Sequence, residues 1–462
     1  MPQPKSQNSQ HSKNKHPKGA SGITAITVKG YKSIYTESKI DISSLTVLAG
    51  TNSSGKSSIM QPLLLMKQTL EASYDPGPIL INGANLKFTS AEQLFSLVKP
   101  KEKTDQFSIA IEINDREVVT CTFGKKPGKS IDLNSMRYEN RERGFTLFPD
   151  MTYKELIETF PSSRRDSYIK ALETTLEKDN DNEDTPVRVV RDRCFFEVAI
   201  SSELGHSKII QPPIGTRAVV FGQHIRNIIH IPGLRGNPER TYKTAAVYSS
   251  FPGTFEDYAA SMIEHWKSVD EEKLRLLTAA LQKLDLTSKI ESKQINDTQV
   301  ELTVGRLPCN SQSSVKESDM VSIADVGFGV SQVLPVLVSL LVARSGQLVY
   351  IEQPEIHLHP RAQVALADIF ADAIDRGVRV VVETHSELFL LGIQSLVAEE
   401  KLSPDKVKLH WFTQQEDGST KISTAELDET GAFGDWPEDF GEISLAAQNR
   451  YLTAAEAKLW KK

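Results

Sequence analysis

The residues best equipped for chemistry form one nine-residue run, Gly50-Thr51-Asn52-Ser53-Ser54-Gly55-Lys56-Ser57-Ser58. It fills every position of G-x-x-x-x-G-K-[ST], a loop whose backbone N–H groups wrap a phosphate. Lys56 is placed to reach the β- and γ-phosphates of a nucleoside triphosphate, and the Ser57 hydroxyl to ligate magnesium. Gly50, Asn52, Ser53, Ser54, Gly55 and Ser58 complete the cradle. A second run, Glu352-Gln353-Pro354-Glu355, follows the apolar stretch Leu348-Val349-Tyr350-Ile351. Glu352 is read as the acid that holds the magnesium shell from a neighbouring strand end. Gln353, the next residue, orients a water but takes no proton at neutral pH; Glu355 is the nearby carboxylate that substitutes if its loop brings it close. His385, in Glu383-Thr384-His385-Ser386, stands at another strand end, where it hydrogen-bonds a γ-phosphate and the attacking water. Gly327, Gly329, Ser331 and Gln332 open an apolar helix, and a Gly/Ser-rich helix start offers free N–H groups to an anion.

The elements that must position these groups are legible as alternating patterns. Leu45–Ala49 is a strand leading into the loop, and a helix-capable run, 59–70, follows, although Pro62 removes one backbone bond from it. A strand begins at Ile23, and 107–123 alternates as two strands broken at Asn114-Asp115. Residues 151–176 read as helix, ending in an acidic run over 177–184; strands resume at Val187 and at 194–200, and 254–284 is mostly helical. From Asp325 the order becomes helix, strand, helix, strand, as in a parallel sheet. Residues 1–22 are polar and carry four lysines without an acid, the composition of a disordered basic tail.

Composition excludes several classes. The net charge of −6 argues against a chain that coats nucleic acid over its whole surface, while leaving room for a local basic groove. Three distant cysteines without a C-x-x-C pair argue against a disulfide framework or zinc ribbon and fit a reducing cytoplasm. No apolar run approaches the ~18 residues of a membrane helix, and the first residues lack the apolar core of a secretion signal. His357 and His359 with Glu355 offer a zinc reading that competes with a loop packing across a dimer. Arg235, Arg240 and Lys243 form a small basic cluster, either a solvated turn or a DNA contact.

These motifs, in this order, resemble the ABC-type ATPase superfamily and most of all its SMC-like and overcoming-lysogenization-defect branches. Glu352-Gln353-Pro354-Glu355-Ile356-His357-Leu358-His359-Pro360 is the most specific string, and Gly30-Tyr31-Lys32-Ser33 ahead of the loop also fits. Residues 430–440 are similar to a short tail domain found on many such ATPases. The resemblance implies an α/β fold, an ABC/SMC-type P-loop ATPase head with a mixed sheet flanked by helices and an inserted α+β region. The division expected is a tail at 1–22, an N-terminal ATPase lobe at 23–104, an insert at 105–224, a C-terminal lobe at 225–424 and a tail segment at 425–462. The resemblance further implies ATP and Mg2+ held between two heads of a homo-oligomer. Gly327, Gly329, Ser331 and Gln332 would then act across the dimer, with Gln93 or Gln68 as the glutamine that reads the nucleotide.

Three functions compete. The first is a slow ATPase that regulates a separate effector in anti-phage defence; the shape resembles the ATPase subunit of Septu-type systems, whose partner is an HNH nuclease. Little room remains after His385 for a nuclease of its own. The second is a DNA-repair ATPase of the RecF or SMC kind, which needs duplex DNA to stimulate it. The third is a nucleotide-gated scaffold that scarcely hydrolyses ATP, motivated by Gln353. A P-loop kinase and a transporter subunit fit less well.

Overall fold

A computed structural model describes residues 22–99, 102–125, 131–141, 143–159, 187–201, 207–209, 218–246, 250–306, 317–434 and 449–453. The expected N-terminal tail, the acidic run 177–184, the part of the expected helix at 160–176, Cys309 and the end of the C-terminal motif lie outside them. Strands β1 (Ile23–Lys29), β2 (Ser38–Asp41) and β3 (Leu45–Gly50) lead into helix α1 (Lys56–Glu71). Then come β4 (Gln106–Ile113), β5 (Glu117–Gly124), β6 (Asp132–Asn140) and β7 (Arg143–Leu147). The short strand β8 (Ile229–Ile231) precedes helices α2 (Ala259–Val269) and α3 (Glu271–Lys283). The closing half is α4 (Phe328–Val342), β9 (Leu348–Glu352), α5 (Pro360–Asp375), β10 (Arg379–Glu383), α6 (Glu387–Ala398), β11 (Val407–Gln414) and β12 (Thr420–Ala425).

Six strands form the central sheet in the order β8-β9-β10-β3-β11-β12, parallel except for the β11–β12 hairpin. Alternate residues face opposite cores, as a pleated strand covered on both sides requires. Val349 and Ile351 of β9, with Val380 and Val382 of β10, pack beneath α2, α4, α5 and α6. Leu348, Tyr350 and Val381 face the other way, onto α1 and a second sheet. That second sheet is antiparallel, β2-β1-β4-β5-β6-β7.

This pairing corrects the expected boundary at 104/105. β1 takes β4 as its neighbour, Ile26 opposite Ile111, so residues 106–147 complete the N-terminal sheet instead of forming a separate insert. A lone β1–β2 pair would leave its apolar face open, and β4 to β7 bury it with Phe107, Ile109, Phe123 and Met136. Pro62 does not end α1, which runs through it to Glu71 as a buried helix. Its far end is held by Arg193, whose guanidinium donates to the carbonyls of Thr69, Leu70 and Ala72.

Candidate nucleotide site

The loop after β3 folds around two glycines for which no other residue has space. Gly50 has φ 142°, and a Cβ there would stand 2.2 Å from the Phe412 carbonyl oxygen. Gly55 has φ 95°, and its Cβ would meet Thr420 Oγ1 at 2.3 Å and Ser33 Oγ at 2.6 Å. Thr420 Oγ1 also lies 2.8 Å from both the Ser54 carbonyl and Ser33 Oγ, so β12 clamps the loop against the turn after β1. Gly55 sits at the N-cap of α1 without a side-chain cap, so the first N–H groups of a sixteen-residue helix point into the cleft. Lys56 is 6% exposed, and its Nζ donates to the carbonyls of Gly50 (3.0 Å) and Thr51 (2.8 Å), folded into the loop's concavity.

The cleft has a volume of about 370 Å³ and is lined by Asn52 to Ser58 together with Lys32, Ser33, Gln61, Gln353, Glu383 and His385. His385 is exposed, and burial of its ring edge with the Lys56 ammonium nearby holds its imidazole below the ordinary value, hence neutral at pH 7. Gln353 adopts φ 46°, a left-handed conformation that costs a non-glycine residue about 1–2 kcal/mol. Its N–H donates to the Glu383 carbonyl at 2.8 Å. Glu383, at the end of β10, thus faces a cradle of N–H groups, a lysine and a hydroxyl. These are hard donors suited to a nucleoside triphosphate with magnesium, which takes few protein ligands and completes its shell with phosphate and water. Among the described residues no cluster of three or more His, Cys, Asp or Glu could hold a metal.

Several expected site residues stand elsewhere. Glu352 does not reach Ser57: its Oε1 lies 3.2 Å from His230 Nε2 and its Oε2 accepts from Gly233 N–H at 3.1 Å. The acid bonded to Ser57 Oγ, at 2.9 Å, is Glu383, which also accepts from the Tyr350 hydroxyl. Burial, with the Glu352 carboxylate beside it, pushes the Glu383 carboxyl up to about 7. Glu355 is turned inward and is 8% exposed; its Oε1 accepts from Thr384 Oγ1 and His385 N–H, both at 2.8 Å, so it props the His385 turn and does not line the cleft.

Gln332 is buried in α4 and donates to the Gly236 carbonyl at 3.0 Å. Gly327 caps that helix, Gly329 lies against the His357 carbonyl, and Ser331 bonds back to Phe328. None of the four lines this chain's own cleft. Neither does Gln68, whose amide ties the strap at Leu80, Asn85 and Leu86, nor Gln93, which caps a 3-10 turn. The α1 glutamine that lines the cleft is Gln61, one helical turn beyond Ser57 and bonded to the Tyr31 hydroxyl at 3.2 Å. That i, i+4 spacing on α1 was a signal available in the sequence. The expected basic cluster is dispersed as well: Arg235 is half-buried on backbone carbonyls, and Arg240 pairs with Asp325. His359 accepts from Arg361 N–H as the N-cap of α5, a structural use.

Fold and cleft together define a P-loop nucleotide-binding protein with an AAA-type domain. The chain belongs to the family described as AAA domain, putative AbiEii toxin, Type IV TA system, whose model matches residues 45–391. No curated protein matches it. Among solved structures it is similar to an SMC head bound to the C-winged helix domain of ScpA, at 12% identity and TM-score 0.45, covering 88% of this chain and 98% of that one. It is also similar to an Smc head with an extended coiled coil bound to the C-terminal domain of ScpA derived from Pyrococcus furiosus, at 12% identity and TM-score 0.43, covering 88% and 96%. The SMC head domain from Thermotoga maritima matches at 10% identity and TM-score 0.36, covering 87% and 98%. Among the described residues no helix is long and apolar enough to cross a membrane.

Proposed function

We propose that the protein binds ATP with Mg2+ in this cleft, hydrolyses it slowly, and uses nucleotide-dependent pairing of two heads to regulate a separate effector, a nuclease of the HNH kind, in anti-phage defence. The observation that carries this reading is the division of the phosphate-reading groups between two surfaces. Lys56, Ser57 and His385 line one cleft, whereas Gly327, exposed, and Ser331, partly exposed at the start of α4, do not line it. A second copy brings that helix start to the open side of the cleft, where its free N–H groups suit a γ-phosphate. The family's description names a toxin–antitoxin system, which supports a partner on a second chain. The test is the mass of the complex drawn from its native operon with and without ATP. ATP should bring two copies together and retain a second gene product; a single copy in both conditions, with nothing bound, sinks the proposal.

Slow hydrolysis rests on Gln353, which lines the cleft where a proton acceptor would be useful. Gln353→Glu supplies that acceptor. A general base contributes ~10²–10⁴-fold where proton transfer matters, but positioning dominates phosphoryl transfer, so an increase of about tenfold or more in single-turnover phosphate release is expected. An unchanged rate removes Gln353 as the cause of slowness.

A further inference from the structure

Two carboxylates stand side by side at the end of the central sheet, Glu352 on β9 and Glu383 on β10, paired directly in register. Only one of them touches the loop. β10 lies between β9 and β3, so Glu383 is one strand from the phosphate loop and Glu352 is two, or about 5 Å against about 10 Å at the usual strand spacing.

The side chains follow that geometry. Glu383 Oε2 accepts from Ser57 Oγ at 2.9 Å, Oε1 accepts from Tyr350, and Glu383 lines the cleft. Glu352 Oε1 lies against His230 and Oε2 accepts from the Gly233 N–H, while its carboxylate also interacts with the Tyr350 hydroxyl that Glu383 binds. His230 is itself fixed. The Asn85 amide nitrogen donates to the Gly253 carbonyl at 3.0 Å and lies 3.1 Å from His230 Nδ1, which makes Nδ1 the acceptor and leaves the proton on Nε2, facing Glu352. The His230 ring is wholly buried and stacks on Tyr350 at 5.4 Å. Freeing Glu352 for a ligand near Ser57 would strand a buried imidazole N–H and the Gly233 N–H; Glu383 needs no such rearrangement.

Resting on the nucleotide reading above, we propose that Glu383, and not Glu352, supplies the carboxylate of the magnesium site beside Ser57, and that Glu352 is a positioning acid joining β8 to β9 through His230. The metal supplies charge neutralisation for the phosphates when bound. The residues that meet it here are a serine and the acid of the strand next to its loop.

The test measures the affinity of a fluorescent ATP analogue in Mg2+ and in EDTA, on the full chain. Wild type binds more tightly in Mg2+. Glu383→Gln, which keeps the shape and the Tyr350 contact, should lose that gain, a fall of about tenfold or more in Mg2+ with the EDTA affinity within about twofold. Glu352→Gln should keep the gain while melting at a lower temperature. If Glu383→Gln does not fold, Glu383→Ser reads the same quantity. Wild type that binds in neither buffer removes the nucleotide reading itself. Wild type that binds, with the magnesium gain kept in the Glu383 variant or lost only in Glu352→Gln, overturns the assignment of Glu383 alone.

Discussion

Lys56→Ala is expected to weaken ATP binding by about two orders of magnitude, read by calorimetry or by the fluorescent analogue, with the thermal midpoint of the nucleotide-free protein little changed. Nζ now sits on the carbonyls of Gly50 and Thr51, inside the curve of the loop. Burial lowers its pKa, and the carboxylates of Glu383 and Glu355 oppose that shift. A charge-assisted bond contributes ~1.5–3 kcal/mol, so losing the ammonium's two phosphate contacts amounts to about 3 kcal/mol or more, hence the hundredfold. The substitution also leaves the Glu383 carboxylate facing the nucleotide without its counter-ion, which adds to the loss. The free protein suffers less, because the two carbonyls border a solvent-filled cleft. Lys56→Arg should not rescue binding, since a forked guanidinium is larger than the space the loop encloses. Intact ATP affinity in Lys56→Ala would falsify the site.

How much of this was legible in the sequence depends on how local each determinant is. The phosphate loop was legible because its glycines answer constraints within a few residues: positive φ at Gly50 and Gly55, and no space for a Cβ at either. The alternation of helix and strand after Asp325 was legible because period-2 and period-3.6 patterns are also local, and the central sheet follows it. The acid that meets Ser57 was not legible. Glu352 and Glu383 end two similar apolar strands, and only the order β9-β10-β3 decides which stands next to the loop. The pairing of β1 with β4 was hidden for the same reason, since it joins strands separated by the whole phosphate loop and α1. Gln61 was passed over for Gln68 and Gln93, although the helix phase from Ser57 already pointed to it. The charge of Arg235 suggested a solvated turn; its burial is set by carbonyls that come from two distant segments.

Arg235→Ala should lower stability by about 3 kcal/mol, read from the denaturant midpoint, and should disconnect the two halves of the site. The guanidinium donates through Nη1 to the Gln332 carbonyl at 3.0 Å, and through Nη2 to the carbonyls of Glu352 at 2.8 Å and Gln353 at 3.1 Å. Burial pushes its pKa down to about 10, still far enough above neutrality to keep the charge. Truncation leaves three carbonyls short of a donor in a region that water reaches poorly; at ~1–3 kcal/mol for each group left unpaired, and with partial relaxation, a total near 3 kcal/mol follows. The functional consequence is the sharper one. Arg235 is a tie between the turn holding Gln353 in its left-handed conformation and the first turn of α4, whose outward face is the surface proposed to meet a second head. With the tie gone, Gln353 relaxes and α4 no longer follows the cleft, so ATP should still bind through Lys56 while ATP-dependent pairing is lost. Arg235→Lys should fail to restore pairing, because one ammonium cannot bridge carbonyls on both segments in the geometry a planar fork provides. An Arg235→Ala protein that pairs normally on ATP, at wild-type denaturant midpoint, would show that the two segments communicate by another route. Such a route is offered by the turn at His357, four residues beyond Gln353, where Gly329 of α4 packs on the His357 carbonyl and the Phe328 ring lies 5.6 Å from the His357 ring.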